Sequence, residues 1–322
     1  MIMKKKINKF KNTLMSIPGM DNVHTGDGHN KHKAKKSLGQ NFLKSKEALR
    51  AICDAGRADG GDIVLEIGPG KGALTEELLK RGASVVAIEK DRDLIEILNE
   101  KFEKEIKNKK LEIINDDILS VNLPKVFLNF SSGLAPIPFP SSEDPRKISE
   151  IFWGDYKVIS NIPYNITGAI IKKFLSEVEN KPILMAILVQ KEVAERIVAR
   201  DGKESILSLS VRAYGEPKYI MKVSKKYFSP SPKVDSAIIL INNISDKNFK
   251  NKNDEEMFFK IVKAGFVHKR KVLIKNLEVG LPDIKNNWVE IFEKLGINKK
   301  ARAEDLKFQD WMKILEFYTK NI

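Results

Sequence analysis

The sequence predicts an α/β fold in which a mainly parallel sheet is covered by helices on both faces and is followed by a small all-helical domain. Short apolar runs alternate with helical patterns between residues 45 and 241. The runs are mostly apolar and do not alternate strictly between polar and apolar residues, which is typical of strands buried on both faces. Beyond residue 246 the strand pattern stops and Lys-rich helical segments follow. We therefore expect a flexible basic arm over 1–32, a sheet domain over 33–245 and a helical domain over 246–322.

The predicted elements follow one another in the order of an α/β sheet. Ser45 is a candidate N-cap for a first helix that ends near residue 55, and two strands near the end of the sheet domain look like a closing antiparallel pair. The Pro- and Phe-containing stretch over 123–154 is too long for an ordinary connection, so we expect an insertion there. The predicted strands are 63–67, 84–88, 111–114, 157–160, 183–189, 219–223 and 236–241, and the further helices are 73–80, 94–102, 168–178 and 192–199.

Composition limits the classes of protein and of site. The chain has 322 residues, of which 42% are hydrophobic and 31% charged, as expected for one large and one small globular domain. Its longest wholly apolar run, 183–189, is far shorter than a membrane span, and the N-terminus lacks the apolar stretch of a secretory signal. One cysteine and four histidines without ligand spacing argue against a disulfide framework and against a metal site. We expect a cytoplasmic protein that uses neither a membrane nor a metal.

The positive charge is concentrated in two places. The net charge is +14, and residues 1–36 carry nine lysines against two aspartates. A second cluster over 260–275, which includes Lys269, Arg270 and Lys271, contains no acidic residue. Such clusters favour a polyanionic partner, nucleic acid above all, although charged runs also serve as solubilising surface.

A glycine-rich loop follows the first predicted strand of the sheet. Residues 66–72 read E-I-G-P-G-K-G and precede a helix, so the backbone around Gly68 and Gly70 can approach a ligand closely. Glu89 ends the next strand, 21 residues after Gly68, where a carboxylate can bind both hydroxyls of a ribose. These features alone also fit a dinucleotide site.

The ends of the next two strands distinguish the two kinds of site. Asp116 and Asp117 follow the third strand, where a carboxylate can accept from the exocyclic amine of an adenine. Residues 161–164, N-I-P-Y, end the fourth strand; taken alone they are also an ordinary turn. Four consecutive strand ends of this kind favour a Rossmann-like class I S-adenosylmethionine-dependent methyltransferase over a nicotinamide enzyme. Either of the two aspartates can fill the adenine role.

The N-I-P-Y segment suits transfer to an exocyclic amine of adenine. The lone pair of that amine is delocalised into the ring, which makes it a poor nucleophile. The side-chain carbonyl of Asn161 and a backbone carbonyl near Pro163 can accept from the NH2 group and favour a tetrahedral nitrogen, since proline has a fixed φ and no N–H to compete. Tyr164 can stack on the base.

With these motifs in order, residues 34–318 resemble the ribosomal RNA adenine dimethyltransferase family. Residues 36–43, K-S-L-G-Q-N-F-L, are similar to the opening box of that family, and residues 228–236, F-S-P-S-P-K-V-D-S, are similar to a second family segment. The resemblance implies that Asn41, Leu43, Gly68, Glu89, Asp117 and Asn161 bind the methyl donor. It also implies that Phe228 helps to hold the target base opposite Tyr164.

Three segments resemble the bacterial small-subunit (16S) branch of the family. They are residues 190–196, residues 266–271, and residues 295–296 followed by 301–306, of which the last two lie in the helical tail. The resemblance implies transfer to N6 of two adjacent adenosines in a hairpin of small-subunit rRNA, with the immature small ribosomal subunit as partner and Lys269, Arg270 and Lys271 at the RNA. A monomer is the default expectation.

Alternatives from other classes stay open. They are an erythromycin-resistance-type methylase acting on large-subunit rRNA, a ribosome-assembly or nucleic-acid-binding factor on the same fold, and a DNA adenine methylase. The sequence departs from the family pattern at Thr167-Gly168, in the length of 123–154 and in the arm before residue 33. The first departure lies near the target pocket, and the other two bear on substrate docking.

Overall fold

The computed structural model describes residues 34–131, 155–282 and 287–320. The predicted arm over 1–32 and the part of the predicted insertion over 132–154 lie outside the described residues. The strands are β1 (Phe42–Leu43), β2 (Ile63–Ile67), β3 (Ser84–Glu89), β4 (Leu111–Asn115), β5 (Lys157–Asn161), β6 (Leu184–Gln190), β7 (Glu216–Val223), β8 (Phe228–Ser229) and β9 (Ser236–Asn242).

Helices precede, separate and follow these strands, as an alternating α/β pattern with a helical tail requires. The α-helices are α1 (Lys46–Ala55), α2 (Ala73–Lys80), α3 (Arg92–Lys101), α4 (Glu103–Lys107), α5 (Leu123–Ser131), α6 (Thr167–Lys172), α7 (Lys191–Ile197), α8 (Ile206–Arg212), α9 (Lys252–Gly265), α10 (Leu273–Gly280), α11 (Trp288–Leu295) and α12 (Phe308–Lys320). No helix in the described part of the chain combines the length and the apolar composition needed to cross a bilayer.

The central sheet has seven strands in the order β4–β3–β2–β5–β6–β9–β7. The first five are parallel, and β9 runs antiparallel to both β6 and β7. From β2 the chain builds outward to β4 and then restarts on the other side of β2 with β5. Open α/β sheets bind ligands at such a reversal, beyond the carboxyl ends of the strands. The topology therefore places a crevice between the ends of β2 and β5.

A side chain marks the point at which the sheet opens into this crevice. The backbones of β2 and β5 pair as far as Leu65 and Val158 and then diverge. Further along, the Ser160 hydroxyl donates to the Ile67 carbonyl at 2.6 Å and accepts from the Ile67 N–H at 3.2 Å. Ser160 thus ties the diverging strands together directly behind the glycine-rich loop and the N-I-P-Y segment.

Both faces of the sheet are covered, which confirms the predicted fold class. Val64 belongs to a core cluster shared with Ile52 of α1 and Leu78 of α2. Its neighbour Leu65 belongs to the opposite cluster, which continues through α6 to Trp311 of α12. The helical tail therefore buries its apolar stripe against the same core as the sheet. From residue 34 onward the described residues form one compact unit, so the domain boundary near 245 stays a prediction.

The bounds of most elements match the sequence analysis closely, with two informative differences. The predicted helix over 168–178 is α6 followed by a π-helical turn, Lys173–Glu177. Residues 123–131, expected as part of an insertion, form α5, and its Phe127 and Phe130 are buried. The proline of that helix lies in its first turn, where a missing N–H costs nothing, so it does not prevent a helix.

Candidate active site

A cavity of about 800 Å³ lies at the carboxyl ends of β2, β3, β4 and β5. Residues 37–43, which lead into and include β1, form another wall of it. The ends of four strands and one N-terminal segment thus meet around one space, as the strand-end argument predicts. The predicted site residues that line it are Asn41, Leu43, Gly68, Gly70, Glu89, Asp117, Asn161, Pro163 and Tyr164.

The glycine-rich loop follows β2 in a conformation that side chains disfavour. Gly68, Gly70 and Gly72 have φ values of 66°, 61° and 73°. A Cβ atom at Gly70 would lie 2.9 Å from the ring of Phe42, so a side chain there would push β1 away from the loop. The loop therefore requires glycine at these positions, and the backbone of Gly68 and Gly70 forms part of the cavity wall.

Glu89 ends β3 and is only 6% exposed. Its Oε2 accepts from the Gly70 N–H at 3.1 Å and its Oε1 from the Asp91 N–H at 2.8 Å. Burial raises the pKa of this carboxyl above its ordinary value, against the effect of the two backbone N–H groups. A carboxylate has about four acceptor positions, so each oxygen retains one that a ribose hydroxyl can use.

Two aspartates follow β4 at the next strand end. The Lys90 Nζ lies 2.8 Å from Oδ2 of Asp117, and the Leu119 N–H donates to its Oδ1 at 3.0 Å. The Lys90 ammonium, with the Leu119 N–H, holds the pKa of Asp117 below its usual range, so this group is charged at neutral pH. Asp116 is exposed and also lines the cavity, so the choice between the two aspartates stays open.

The N-I-P-Y segment closes the opposite side of the cavity. The Asn161 amide donates to the Asn41 carbonyl at 3.4 Å, which leaves its side-chain oxygen as the acceptor. The Pro163 carbonyl accepts from the Ile166 N–H and the Thr167 hydroxyl, both at 3.4 Å. The Tyr164 hydroxyl lies 2.6 Å from the Ser236 Oγ, and this contact with β9 orients the half-buried ring. Burial raises the pKa of Tyr164, so the phenol is neutral.

Phe228 lies outside this cavity. It is 5% exposed, and its ring belongs to the core cluster that also contains Leu43 and Val223. Its backbone pairs with Leu43 between β1 and β8, and the neighbouring Ser229 lines the cavity instead. Stacking of Phe228 on a base requires its ring to leave the core, and this role stays a prediction.

The predicted RNA-contact residues lie in the turn between α9 and α10. Lys269, Arg270 and Lys271 are all exposed, and within the described residues they make no ion pair. The buried Asn276 supports the turn, because its amide donates to the Gly265 carbonyl at 2.6 Å and to the His268 carbonyl at 3.2 Å. This turn is remote in sequence from the donor residues and presents three cations to solvent.

Two buried carboxyl groups at or near this cavity were not identified from the sequence. Glu66, which also lines the cavity, is 1% exposed and accepts from the Thr75 hydroxyl at 2.6 Å. Burial raises its pKa from 4.5 to about 8. Asp91 lies behind the cavity wall, and its side chain accepts from the Gln40 amide at 2.6 Å. Glu66 opens the glycine-rich motif and Gln40 is part of the opening box, but neither pattern indicated burial or a partner.

The residues present fit a bound S-adenosylmethionine. Glu89 retains acceptor positions for a ribose, Asp116 and Asp117 offer carboxylates at the next strand end, and the glycines leave room for an extended ligand. The Asn161 oxygen is an acceptor on the far side of the same cavity. Among the described residues, no group of three or more His, Cys, Asp or Glu side chains is arranged to hold a metal ion.

Comparisons with solved structures show the same architecture over most of the chain. A dimethyladenosine transferase from Plasmodium falciparum superposes with a TM-score of 0.68 at 25% identity, covering 87% of this chain and 98% of that one. The 23S rRNA methyltransferase ErmE superposes with a TM-score of 0.65 at 24% identity, covering 86% and 98%. The second likeness shows the fold alone.

Comparisons of sequence are more specific. The Ribosomal RNA small subunit methyltransferase A of Fusobacterium nucleatum subsp. nucleatum is 37% identical over 290 residues, which cover 89% of this chain and 98% of the relative. The protein of the same name from Dehalococcoides mccartyi strain CBDB1 is 40% identical over 289 residues, 90% of each chain. Residues 31–320 match the family model described as Ribosomal RNA adenine dimethylase. The chain therefore belongs to the ribosomal RNA adenine dimethylase family.

Proposed function

We propose that this protein transfers methyl groups from S-adenosylmethionine to N6 of two adjacent adenosines in a hairpin loop near the 3′ end of small-subunit rRNA. The observation that carries the proposal is the position of the N-I-P-Y segment on the wall of the donor cavity, opposite Glu89 and Asp117. The names of the curated relatives at 37–40% identity support the small subunit as the target.

The donor supplies an electrophilic methyl group on a sulfonium. The protein holds the donor and the acceptor base in the position that transfer requires. Glu89 holds the ribose, an aspartate after β4 receives the adenine amine, and the glycine-rich loop accepts the remainder without steric conflict. Alignment of the acceptor nitrogen with that methyl group is the main catalytic device, because holding two reactants in line removes most of the entropic barrier.

The acceptor base must leave its stack to enter the cavity, at a cost of roughly a few kcal/mol. Loop adenines cost less to extract than paired ones. Asn161 accepts one N–H of the amine, a backbone carbonyl of the same segment accepts the other, and Tyr164 stacks on the ring. The proton lost after transfer leaves through water, and the pocket admits the monomethyl product for a second transfer.

The RNA is proposed to run from this cavity towards the helical tail. A second cavity, about 1,070 Å³, is lined by Gly168, which lies four residues after Tyr164, and by Lys263 and Lys269 of the tail. It extends from α6, which follows the target segment, to the basic turn. Phosphate contacts of this kind fix register and orientation and not sequence. The immature small subunit is the proposed partner of a cytoplasmic monomer.

The test offers the purified protein and labelled S-adenosylmethionine to three acceptors: small-subunit particles lacking the modification, large-subunit rRNA, and DNA. Products are digested to nucleosides and separated by mass. We expect N6,N6-dimethyladenosine from the small-subunit particle alone. Label in large-subunit rRNA would instead show that the protein has the erythromycin-resistance-type activity. Donor binding without label in any acceptor would indicate an assembly factor.

A further inference from the structure

The segment over residues 35–43, here called the opening segment, is attached at two places across the donor cavity. Its C-terminal end is held by a strand ladder in which Phe42 pairs with Ser229 and Leu43 with Phe228. The Lys44 N–H continues this attachment by donating to the Tyr227 carbonyl at 2.8 Å. Residues 38–43 of the segment all line the cavity. The position of this segment therefore sets the shape of one cavity wall.

The N-terminal end of the opening segment is held by Asp91. The Gln40 amide donates to Oδ2 of Asp91 at 2.6 Å, and the Lys35 ammonium lies 2.5 Å from Oδ1. The Lys35 N–H in turn donates to the Gln40 Oε1 at 2.7 Å. The side chain of Asp91 is fully buried by these contacts, whereas that of Lys35 is 41% exposed. Two separate donors from the opening segment thus converge on one carboxylate more than 50 residues away.

The same residue also supports the predicted ribose ligand. The Asp91 N–H donates to Oε1 of Glu89 at 2.8 Å, while Gly70 of the glycine-rich loop donates to Oε2. Asp91 therefore holds Glu89 through its backbone and the opening segment through its side chain. A displacement of Asp91 would move two walls of the donor cavity together.

We propose that Asp91 is a positioning residue for the donor site, whose side chain holds the opening segment against the cavity through Gln40 and Lys35. Loss of this contact lets residues 35–40 move away from the cavity while β1 stays paired with β8. Donor affinity then falls and the demethylated product leaves faster, whereas Asn41, which adjoins β1, keeps its contact with the Asn161 amide. The inference rests on donor binding and not on which RNA accepts the methyl group.

A structural alternative must be separated from this role, because Asp91 is also the N-cap of α3 and accepts from the Asp93 N–H at 3.2 Å. Serine is an equally good N-cap but is too short and uncharged to reach both donors. Asp91→Ser therefore keeps the cap and removes the contact. Asp93→Asn is the matched control, because Asp93 also forms an ion pair with Lys35, at 2.7 Å, yet its side chain is 64% exposed.

The experiment measures binding of S-adenosylmethionine and S-adenosylhomocysteine to the full chain by calorimetry, without RNA. We expect Asp91→Ser to weaken both about tenfold, as loss of a buried charge-assisted hydrogen bond predicts. Asp93→Asn should stay within about twofold of wild type, since exposed ion pairs contribute little. Steady-state transfer should show a raised donor KM with nearly unchanged kcat. Wild-type donor affinity in Asp91→Ser would overturn the proposal.

Two further measurements distinguish local release of the opening segment from general destabilisation of Asp91→Ser. Hydrogen exchange should rise in residues 37–40 and stay constant in β1 and β5, because only the N-terminal part of the opening segment is released. A double-mutant cycle with Gln40→Ala should be non-additive, since both variants remove the same contact. Additive effects, or exchange that rises equally in β5, would assign Asp91 a purely structural role.

Discussion

At the scale of single residues, Asn161 has both a structural contact and a proposed chemical role. Its amide points to the Asn41 carbonyl, which orients the side-chain oxygen as an acceptor inside the donor cavity. This contact is long, 3.4 Å, so it aligns the side chain without being essential to the fold. Its chemical role and its structural role are therefore separable by mutation.

We predict that Asn161→Ala lowers kcat about 100-fold or more, because the acceptor amine loses its alignment. Asn161→Asp, which keeps an acceptor oxygen, should retain more activity than the alanine variant. Single-turnover transfer measures the rate, while thermal unfolding and donor calorimetry provide the controls. Rapid turnover by Asn161→Ala would remove the role we assign to this side chain.

Glu66 is a second residue of interest, because its burial makes the free energy of unfolding depend on pH. Burial raises its pKa to about 8, opposed by the hydrogen bond from Thr75 and increased by the nearby Glu89. The folded chain therefore holds a proton on Glu66 that the unfolded chain releases above its ordinary pKa of 4.5. Since the unfolded state binds fewer protons in this interval, the free energy of unfolding falls as pH rises from about 4.5 to about 8.

We predict that Glu66→Gln removes most of this dependence, because glutamine keeps the acceptor for Thr75 but does not ionise. Near pH 8 the variant should be more stable than wild type by an amount of the order of a few kcal/mol. Urea unfolding of the donor-free protein at several pH values checks this. Parallel stability curves for the two proteins would show that Glu66 is ionised in the folded state.

At the scale of elements, the π-helical turn after α6 joins the target side of the site to the donor side. Lys173 in this turn is 8% exposed, and its ammonium donates to the Ile118 carbonyl at 2.7 Å and the Val121 carbonyl at 3.3 Å. Those carbonyls belong to the loop that begins with Asp116 and Asp117. The turn thus supports the predicted adenine loop from behind.

We predict that Lys173→Met destabilises the fold by about 1–3 kcal/mol, because two buried carbonyls lose their donor. It should also raise the KM for the donor, since the aspartate loop loses its support. Lys172→Met is the matched control, because Lys172 is exposed and its ammonium pairs with the exposed Glu177 at 2.6 Å. Equal effects of the two substitutions on urea unfolding and on KM would contradict this role.

At the scale of the whole molecule, one apolar core joins the sheet to the helical tail. One apolar cluster extends from β2 to Trp311 of the last helix, so the helical tail packs directly against the sheet. The basic turn at 269–271 is presented by this packed tail. Its distance and direction from the donor cavity are therefore set by the core.

We predict that Lys269→Glu combined with Arg270→Glu weakens RNA binding and reduces the slope of log affinity against log salt by about 1.5 or more. Donor affinity should not change. Lys104→Glu combined with Lys107→Glu on α4 makes the same change in net charge at another exposed site and serves as the control. Equal losses in the two double variants would mean that only net charge matters, and a loss of donor affinity would make the turn structural.

The sequence anticipated the elements whose signal is local. Strands β2 and β5 each contain a short apolar run, and Ser45 caps α1 as expected, with its hydroxyl accepting from the Ala48 N–H at 3.2 Å. The helix α5 was missed because Pro, Ser and Phe nearby suggested a loop. What decides that helix is the burial of Phe127 and Phe130, a tertiary property.

The sequence by itself determined the fold class and the family, and it predicted residues that line one cavity, because most of the motifs are contiguous and end a strand of a parallel sheet. Only the tertiary structure decided the direction of the Phe228 ring, the proton on Glu66 and the partners of Asp91 and Lys173. These depend on burial and on contacts between residues 50 or more positions apart, such as Gln40 with Asp91 and Lys173 with Ile118. Local patterns carry no information about such pairs, since packing brings them together.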